Sequence, residues 1–182
     1  MNLIICGLPR SGKTVIGKKI AAHLNWEFID TDLLIEEIMH RSCRNLFQEK
    51  GELFFRKLES EVVASLKGSN LVIALGGGTL DTGVNIRILE KKGLFIYLKT
   101  PLSTIWNRLS KDLPAFLDDR DPEKAFYALA EKRIQIYNNV ASYTFEEALW
   151  EVMLTELFLN LPHGVNRMVK QSVLSSTAAL QA

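Results

Sequence analysis

Cysteine is almost missing from this chain: Cys6 and Cys43 are the only two among 182 residues, and they fall in stretches that read as a buried strand and a helix. A disulfide framework is therefore excluded, and both thiols read as reduced and inert. Glycine and proline are scarce, at 11 and 5 residues, which excludes collagen-like structure and, for the bulk of the chain, disorder. An excess of either charge is missing too. Lys plus Arg number 22 against 21 Asp plus Glu, a net charge of +1, so no overall field draws the chain to nucleic acid or a membrane surface. Any anion it binds must be held by a local arrangement. Long apolar runs are also absent. Leu3 to Cys6 has no basic segment before it and breaks at Gly7, too short for a signal peptide. The stretch from Leu149 to Leu161 is interrupted by Glu151 and Glu156, short of the ~20 apolar residues of a membrane span. These absences predict a soluble, cytoplasmic protein.

What is present is an ordinary globular composition, 47% hydrophobic and 24% charged. One domain of this length buries around 70% of the surface its unfolded chain exposes, enough for a core without disulfides or structural metals. Short apolar runs alternate with longer stretches of helical periodicity, which predicts an α/β fold with a parallel sheet covered on both faces. The strands are expected at Asn2 to Cys6, Glu27 to Asp30, Leu71 to Leu75, Leu94 to Leu98 and Tyr143 to Phe145. Helices are expected at Lys13 to Leu24, Leu33 to Met39, Leu53 to Leu66, Val84 to Lys91, Leu102 to Leu109, Pro122 to Val140 and Glu146 to Leu159. No internal repeat is evident. The aperiodic, charged stretch Ser110 to Pro122 (SKDLPAFLDDRDP) reads as a mobile surface loop, and loops of this length are more often functional than idle. The domain is thus expected over 1–160, and the small, polar segment 161–182 reads as a frayed or disordered tail.

Gly7-Leu8-Pro9-Arg10-Ser11-Gly12-Lys13-Thr14 matches the phosphate-loop pattern G-x-x-x-x-G-K-[ST], between an apolar strand and a helix as the mechanism requires. A chance match in a chain this long has a probability of roughly 0.6%, so nucleoside triphosphate binding is the firmest inference. In such a loop backbone N–H groups and the helix N-terminus face the phosphates, Lys13 reaches the β- and γ-phosphates, and the Thr14 hydroxyl ligates Mg²⁺. The motif does not choose between GTPase, ATPase and kinase. However, the GTPase signature N-K-x-D is absent. The third strand ends in Gly76-Gly77-Gly78, which suggests close approach of backbone to a ligand, where a motor ATPase would want an acid.

Phe28-Ile29-Asp30-Thr31-Asp32 puts two carboxylates at i and i+2, on the same side if the strand runs on to Asp32. At the carboxyl end of a parallel strand both lie beside the phosphate loop. One can hold Mg²⁺ through its water shell and the other can accept a proton from an attacking hydroxyl. Alternatively, Asp32 is the N-cap of the following helix. Arg56 and Glu59, at i and i+3, share one helix face, although such a pair is more often a solvated surface ion pair. Arg133 lies on the helix after the loop 110–122.

Taken together, the phosphate loop, F-I-D-T-D, G-E-L-F-F-R-K-L-E from Gly51, the G-G-G turn and E-K-R-I-Q-I-Y from Glu131 resemble the shikimate kinase family in order and interval, from about Asn2 to Glu156. That resemblance implies a three-layer phosphate-loop kinase fold, a five-stranded parallel sheet flanked by helices with a mobile lid over about 110–122. It also implies transfer of the ATP γ-phosphoryl group to the 3-hydroxyl of shikimate, with ATP and Mg²⁺ as cofactors, and action as a monomer. Carried over by position, Arg10, Ser11, Gly12, Lys13, Thr14 and Val15 wrap the ATP phosphates, and Arg108 packs on adenine. Thr14 and Asp30 serve Mg²⁺. Lys13 and Asp32 are catalytic, and Asp32, Arg56, Gly77, Gly78 and Arg133 hold the acceptor. Two departures stand out. Arg10 occupies a position where the family usually has Gly. Leu113, in Leu113-Pro114-Ala115-Phe116, stands where the family lid carries an Arg that reaches the transferring phosphate, and Arg120 or Lys111 is the expected replacement, Arg120 slightly favoured. Other readings remain: a gluconate or nucleoside monophosphate kinase of this fold, or a nucleotide-binding regulatory protein without catalysis.

Overall fold

The computed structural model describes residues 1–117 and 120–146. The expected helix at Glu146 to Leu159, the domain end near 160 and the tail 161–182 lie outside them or, for the helix, almost wholly so. Five parallel strands form one sheet in the order β2-β3-β1-β4-β5, with β1 Asn2–Cys6, β2 Glu27–Asp30, β3 Leu71–Ala74, β4 Gly93–Lys99 and β5 Tyr143–Glu146. The central strand β1 pairs Ile4 with Ile73 on one side and with Phe95 on the other. Every residue of β1 and β3 is buried. Their unbroken apolar runs are what a parallel sheet covered on both faces requires.

Alternation along the strands sorts the core into two layers. Leu3, Ile5, Val72, Ile96 and Leu98 pack against Ile16, Ile20 and Leu24 of α1 (Lys13–Leu24). Ile4, Ile73, Phe95 and Tyr97 face the other way, against Leu89 of α4 (Gly83–Glu90), Ile105 of α5 (Leu102–Leu109) and Phe126 and Tyr137 of α6 (Pro122–Val140). A third cluster, with Ile35, Leu46, Phe55, Leu58 and Val62, joins α2 (Thr31–Met39) to α3 (Cys43–Ser65) beside the sheet. Burial pushes the Cys6 thiol up to about 12, so it is protonated, as expected of an inert core thiol.

Two helix starts differ from expectation in ways that matter for the site. Strand β2 ends at Asp30, as expected, and α2 begins directly after it at Thr31, two residues earlier than predicted. Asp30 takes the extended conformation of an N-cap, and its Oδ1 accepts from the N–H groups of Asp32 and Leu33 at 3.0 and 3.3 Å. The capping role considered for Asp32 therefore belongs to Asp30, and Asp32 sits in the first turn of α2. Helix α3 begins at Cys43, ten residues before the periodicity predicted, because it is two legs joined at Gly51, whose φ of 79° only glycine adopts easily. The first leg is capped by Ser42 Oγ, which accepts from Asn45 N–H at 3.2 Å. Its single buried residue is Leu46, too little for an apolar stripe.

Candidate active site

The carboxyl ends of β1, β2 and β3 open onto a cavity of about 620 Å³. Pro9, Arg10 and Gly12 of the phosphate-loop segment line its floor. Gly12, at φ 95°, turns the chain into α1, and Arg10 is left-handed at φ 62°. Lys13 is buried, and its Nζ donates to the loop's own carbonyls, Gly7 O at 3.0 Å and Leu8 O at 2.8 Å. Burial pulls Lys13 down to about 8, with Asp32 and Asp30 opposing the shift. Gly12, Thr14 and Val15 line the cavity beside it. Ser11 does not. It is fully buried with its hydroxyl unpartnered, and its carbonyl accepts from Thr100 Oγ1.

At the cavity wall Thr14 Oγ1 donates to Asp30 Oδ2 at 2.6 Å. A hydroxyl and a carboxylate in contact make a hard, oxygen-only donor pair of the kind that shares Mg²⁺ with substrate phosphates. Among the described residues no cluster of three or more His, Cys, Asp or Glu is arranged to hold a metal alone. Asp32 lines the same wall. Burial, and then the Glu59 and Asp30 carboxylates, push it up to about 7, with Lys13 opposing. A carboxylate so placed is poised to take a proton near neutrality.

The inner end of the cavity is built by the Gly76-Gly77-Gly78 turn and two arginines. A Cβ on Gly76 would meet the Asp32 carboxylate, one on Gly77 would meet Pro9, and one on Gly78 would overlap the Arg56 guanidinium. The triple glycine thus serves close approach of three functional segments. Tyr137 OH donates to Gly77 O at 2.7 Å and fixes the turn against α6. Arg56 pairs with Glu59 at 2.5 Å, and Glu59 also accepts from Thr79 Oγ1 at 2.9 Å. Glu59 is only 2% exposed, so this is not the solvated pair that its spacing alone suggested. Arg133 binds both oxygens of Asp81, with Nη2 to Oδ2 at 2.7 Å, and its guanidinium lies 5.6 Å from the Phe116 ring. Its Nη1 is buried without a hydrogen-bond partner among the described residues.

The lid closes the outer end. Asp112, Pro114, Ala115 and Phe116 line the cavity, and the Leu113 side chain packs towards the core. Neither Lys111 nor Arg120, the expected replacements for a lid arginine, is among the lining residues, and both are exposed. Arg108 is exposed and donates to Arg10 O at 2.9 Å, beside the loop and off the cavity wall. Instead, Arg44 from the first leg of α3 reaches the lid, with Nη2 2.6 Å from Asp112 Oδ1 and 2.9 Å from Leu113 O. Arg10 Nη2 binds the other oxygen of Asp112 at 3.1 Å.

The structure therefore brings Gly12, Lys13, Thr14, Val15, Asp30, Asp32, Arg56, Gly77, Gly78 and Arg133 around one cavity, with Arg10 at its mouth. Sequence reasoning missed Arg44, Asp81 and Asp112. Asp81 follows the glycine turn in the 3-10 segment Thr79–Asp81, but neither it nor the other two carries a local signal.

Residues 9–159 match the family model described as shikimate kinase. The shikimate kinase of Caldanaerobacter subterraneus subsp. tengcongensis is 38% identical over 161 residues, covering 84% of this chain and 94% of that one. That of Clostridium botulinum strain Loch Maree is 36% identical over 155 residues, covering 81% and 91%. Among solved structures, a shikimate kinase from Acinetobacter baumannii in complex with shikimate superposes with a TM-score of 0.79 at 31% identity, covering 87% of this chain and 93% of that one. With its sheet order, phosphate loop and glycine turn in the expected places, this chain belongs to the shikimate kinase family.

Proposed function

We propose that this chain transfers the γ-phosphoryl group of ATP to the 3-hydroxyl of shikimate, acting as a cytoplasmic monomer. The observation that carries the acceptor assignment is Arg133 Nη1, a buried donor with no partner among the described residues, in a cavity also lined by Arg56, Asp32 and the phosphate loop. A buried guanidinium donor left unsatisfied is costly unless a ligand completes it. A carboxylate bound at Arg133 and Arg56 does so and leaves the rest of a small hydroxy acid extending towards Asp32. A gluconate or nucleotide acceptor gains less from two arginines placed for one carboxylate.

The loop N–H groups and Lys13 hold the phosphates, with Lys13 exchanging its two loop carbonyls for phosphate oxygens. Thr14 would ligate Mg²⁺, with Asp30 in its outer shell, and the ion when bound would neutralise charge on the phosphates. Asp32 orients the acceptor hydroxyl and takes its proton, and the Gly77-Gly78 backbone contacts the acceptor. The lid excludes water, which suppresses hydrolysis. The test is a coupled ADP-release assay over shikimate, gluconate and AMP. Turnover with shikimate is expected. Turnover with gluconate or AMP alone overturns the acceptor, and ATP binding with no transfer to any of them identifies a regulatory protein.

A further inference from the structure

Among the described residues five cations line the cavity, and two of them are held differently from the rest. Lys13 is turned into the loop, and Arg56 and Arg133 are fixed by Glu59 and Asp81. Arg10 and Arg44 grip one carboxylate between them, that of Asp112 on the lid. All three of those side chains are about half exposed, at 53%, 44% and 54%. Exposed ion pairs of this kind contribute little to stability. A guanidinium presents five donors in a planar fork that suits phosphate as well as carboxylate, so a polyphosphate carrying several charges competes readily for the same groups.

We propose that Arg44 is a phosphate-binding residue of the reaction: Asp112 occupies its guanidinium in the ligand-free chain, and the terminal phosphoryl group of the nucleotide takes that place when it binds. Arg44 thereby supplies the cation that Leu113, an apolar side chain, cannot supply from the lid. Its Nη2 already lies against the Leu113 carbonyl, and it lines the same cavity as Lys13 and Thr14. Arg10, tethered to the same carboxylate and to the same loop, orients Asp112 for the exchange. The inference rests on the triphosphate reading above but not on the identity of the acceptor.

The test separates a phosphate ligand from a simple strap that holds the lid shut. MgADP and the non-hydrolysable MgAMP-PNP are titrated calorimetrically into the full chain and into Arg44→Ala, Arg44→Lys and Asp112→Asn. Arg44→Ala is expected to weaken MgAMP-PNP about tenfold while changing MgADP less than about twofold, since a charge-assisted contact to the terminal phosphate is lost. Arg44→Lys restores part of that loss. Asp112→Asn moves the other way and tightens MgAMP-PNP, because the competing carboxylate is gone. In shikimate turnover, kcat of Arg44→Ala falls about 10²-fold, in line with removal of one preorganised donor to developing charge. If Arg44→Ala and Asp112→Asn weaken both nucleotides together, Arg44 is a lid strap and the proposal is overturned. Equal affinity of Arg44→Ala and the unsubstituted chain for MgAMP-PNP overturns it as well. Failure of the unsubstituted chain to bind either nucleotide removes the triphosphate reading itself, an outcome distinct from those two.

Discussion

The two ends of the cavity are built to the same plan, two arginines on one aspartate, and they differ in burial. At the inner end Arg56 and Arg133 share Asp81, and the arginine side chains are 17% and 4% exposed. At the outer end Arg10 and Arg44 share Asp112, with all three side chains about half exposed. Water decides what each arrangement is good for. Desolvated charges hold one another firmly, but they leave any unpaired donor at a high cost, so the inner clamp is rigid and needs one more acceptor at Arg133 Nη1. Solvated charges hold one another weakly, so the outer clamp exchanges partners. A preformed grip at one end and a yielding one at the other suit a substrate that must be positioned and a phosphoryl group that must move.

Asp32 lines the same cavity as both clamps, and its loss is the largest effect expected. Asp32→Asn keeps the shape of the wall but cannot take a proton, and kcat falls by about 10²–10⁴-fold. MgADP affinity stays within a few-fold, measured by calorimetry. Undiminished turnover would remove Asp32 from the chemistry and leave the clamps as the working parts.

Next in size is the direct comparison of the clamps. Arg133→Ala removes a buried, hydrogen-bonded cation and is expected to raise the KM for shikimate by about 10²-fold, since truncating one partner of such a pair costs 2–5 kcal/mol. Its kcat changes less, because the acceptor carboxylate is remote from the reacting hydroxyl. Arg44→Ala should leave the shikimate KM close to that of the unsubstituted chain. Steady-state kinetics on both variants break the comparison if the same constant moves in both.

The pH dependence sharpens it further. Asp32 stands at about 7 and must be ionised, so kcat/KM rises as pH passes upward through that value. Lys13 stands at about 8 and must be charged, so the same profile falls as pH rises through about 8. The product is a narrow bell between the two, with about tenfold loss one to two units beyond either side. In Asp32→Asn the acid limb should disappear from the residual activity, whereas in Arg44→Ala, where the exposed clamp lies apart from Asp32, both limbs should stay.

Burial also explains how much of this was legible in the sequence. The phosphate loop was readable because its chemistry is local. Lys13–Leu24 emerged with the expected bounds because Gly12 and Asn25, both left-handed, mark its ends. The Arg56 and Glu59 pair was visible as an i, i+3 spacing, but its burial depends on Thr79, which comes from the 3-10 segment after β3 and has no local signature. Arg44 and Asp112 are 68 residues apart and meet only because Gly51 bends α3 so that its first leg faces the lid. No periodicity records a contact of that kind. The exposed clamp was therefore the harder of the two to see, since single charged residues on polar helices and loops are ordinary surface until the fold places them at a cavity mouth.

The smallest effect concerns Arg10, the one member of either clamp with a strained backbone. At φ 62° it occupies the left-handed region, which costs a residue with a Cβ roughly 1–2 kcal/mol. Arg10→Gly relieves that strain, but it adds about 0.4–1 kcal/mol of unfolded-state freedom. Because the Asp112 pair is exposed and its loss counts for little, the balance favours the glycine by at most about 1.6 kcal/mol, at about 2–4 °C of Tm per kcal/mol for a domain of this size. The substitution should also relax the hold on Asp112, so a modest change in MgAMP-PNP affinity is expected beside the higher Tm in thermal unfolding. A fall in Tm would mean that Arg10 and Asp112 bind each other more strongly than two solvated groups should. The outer clamp would then resemble the inner one in strength as well as in plan, and burial would no longer account for the difference between the two ends.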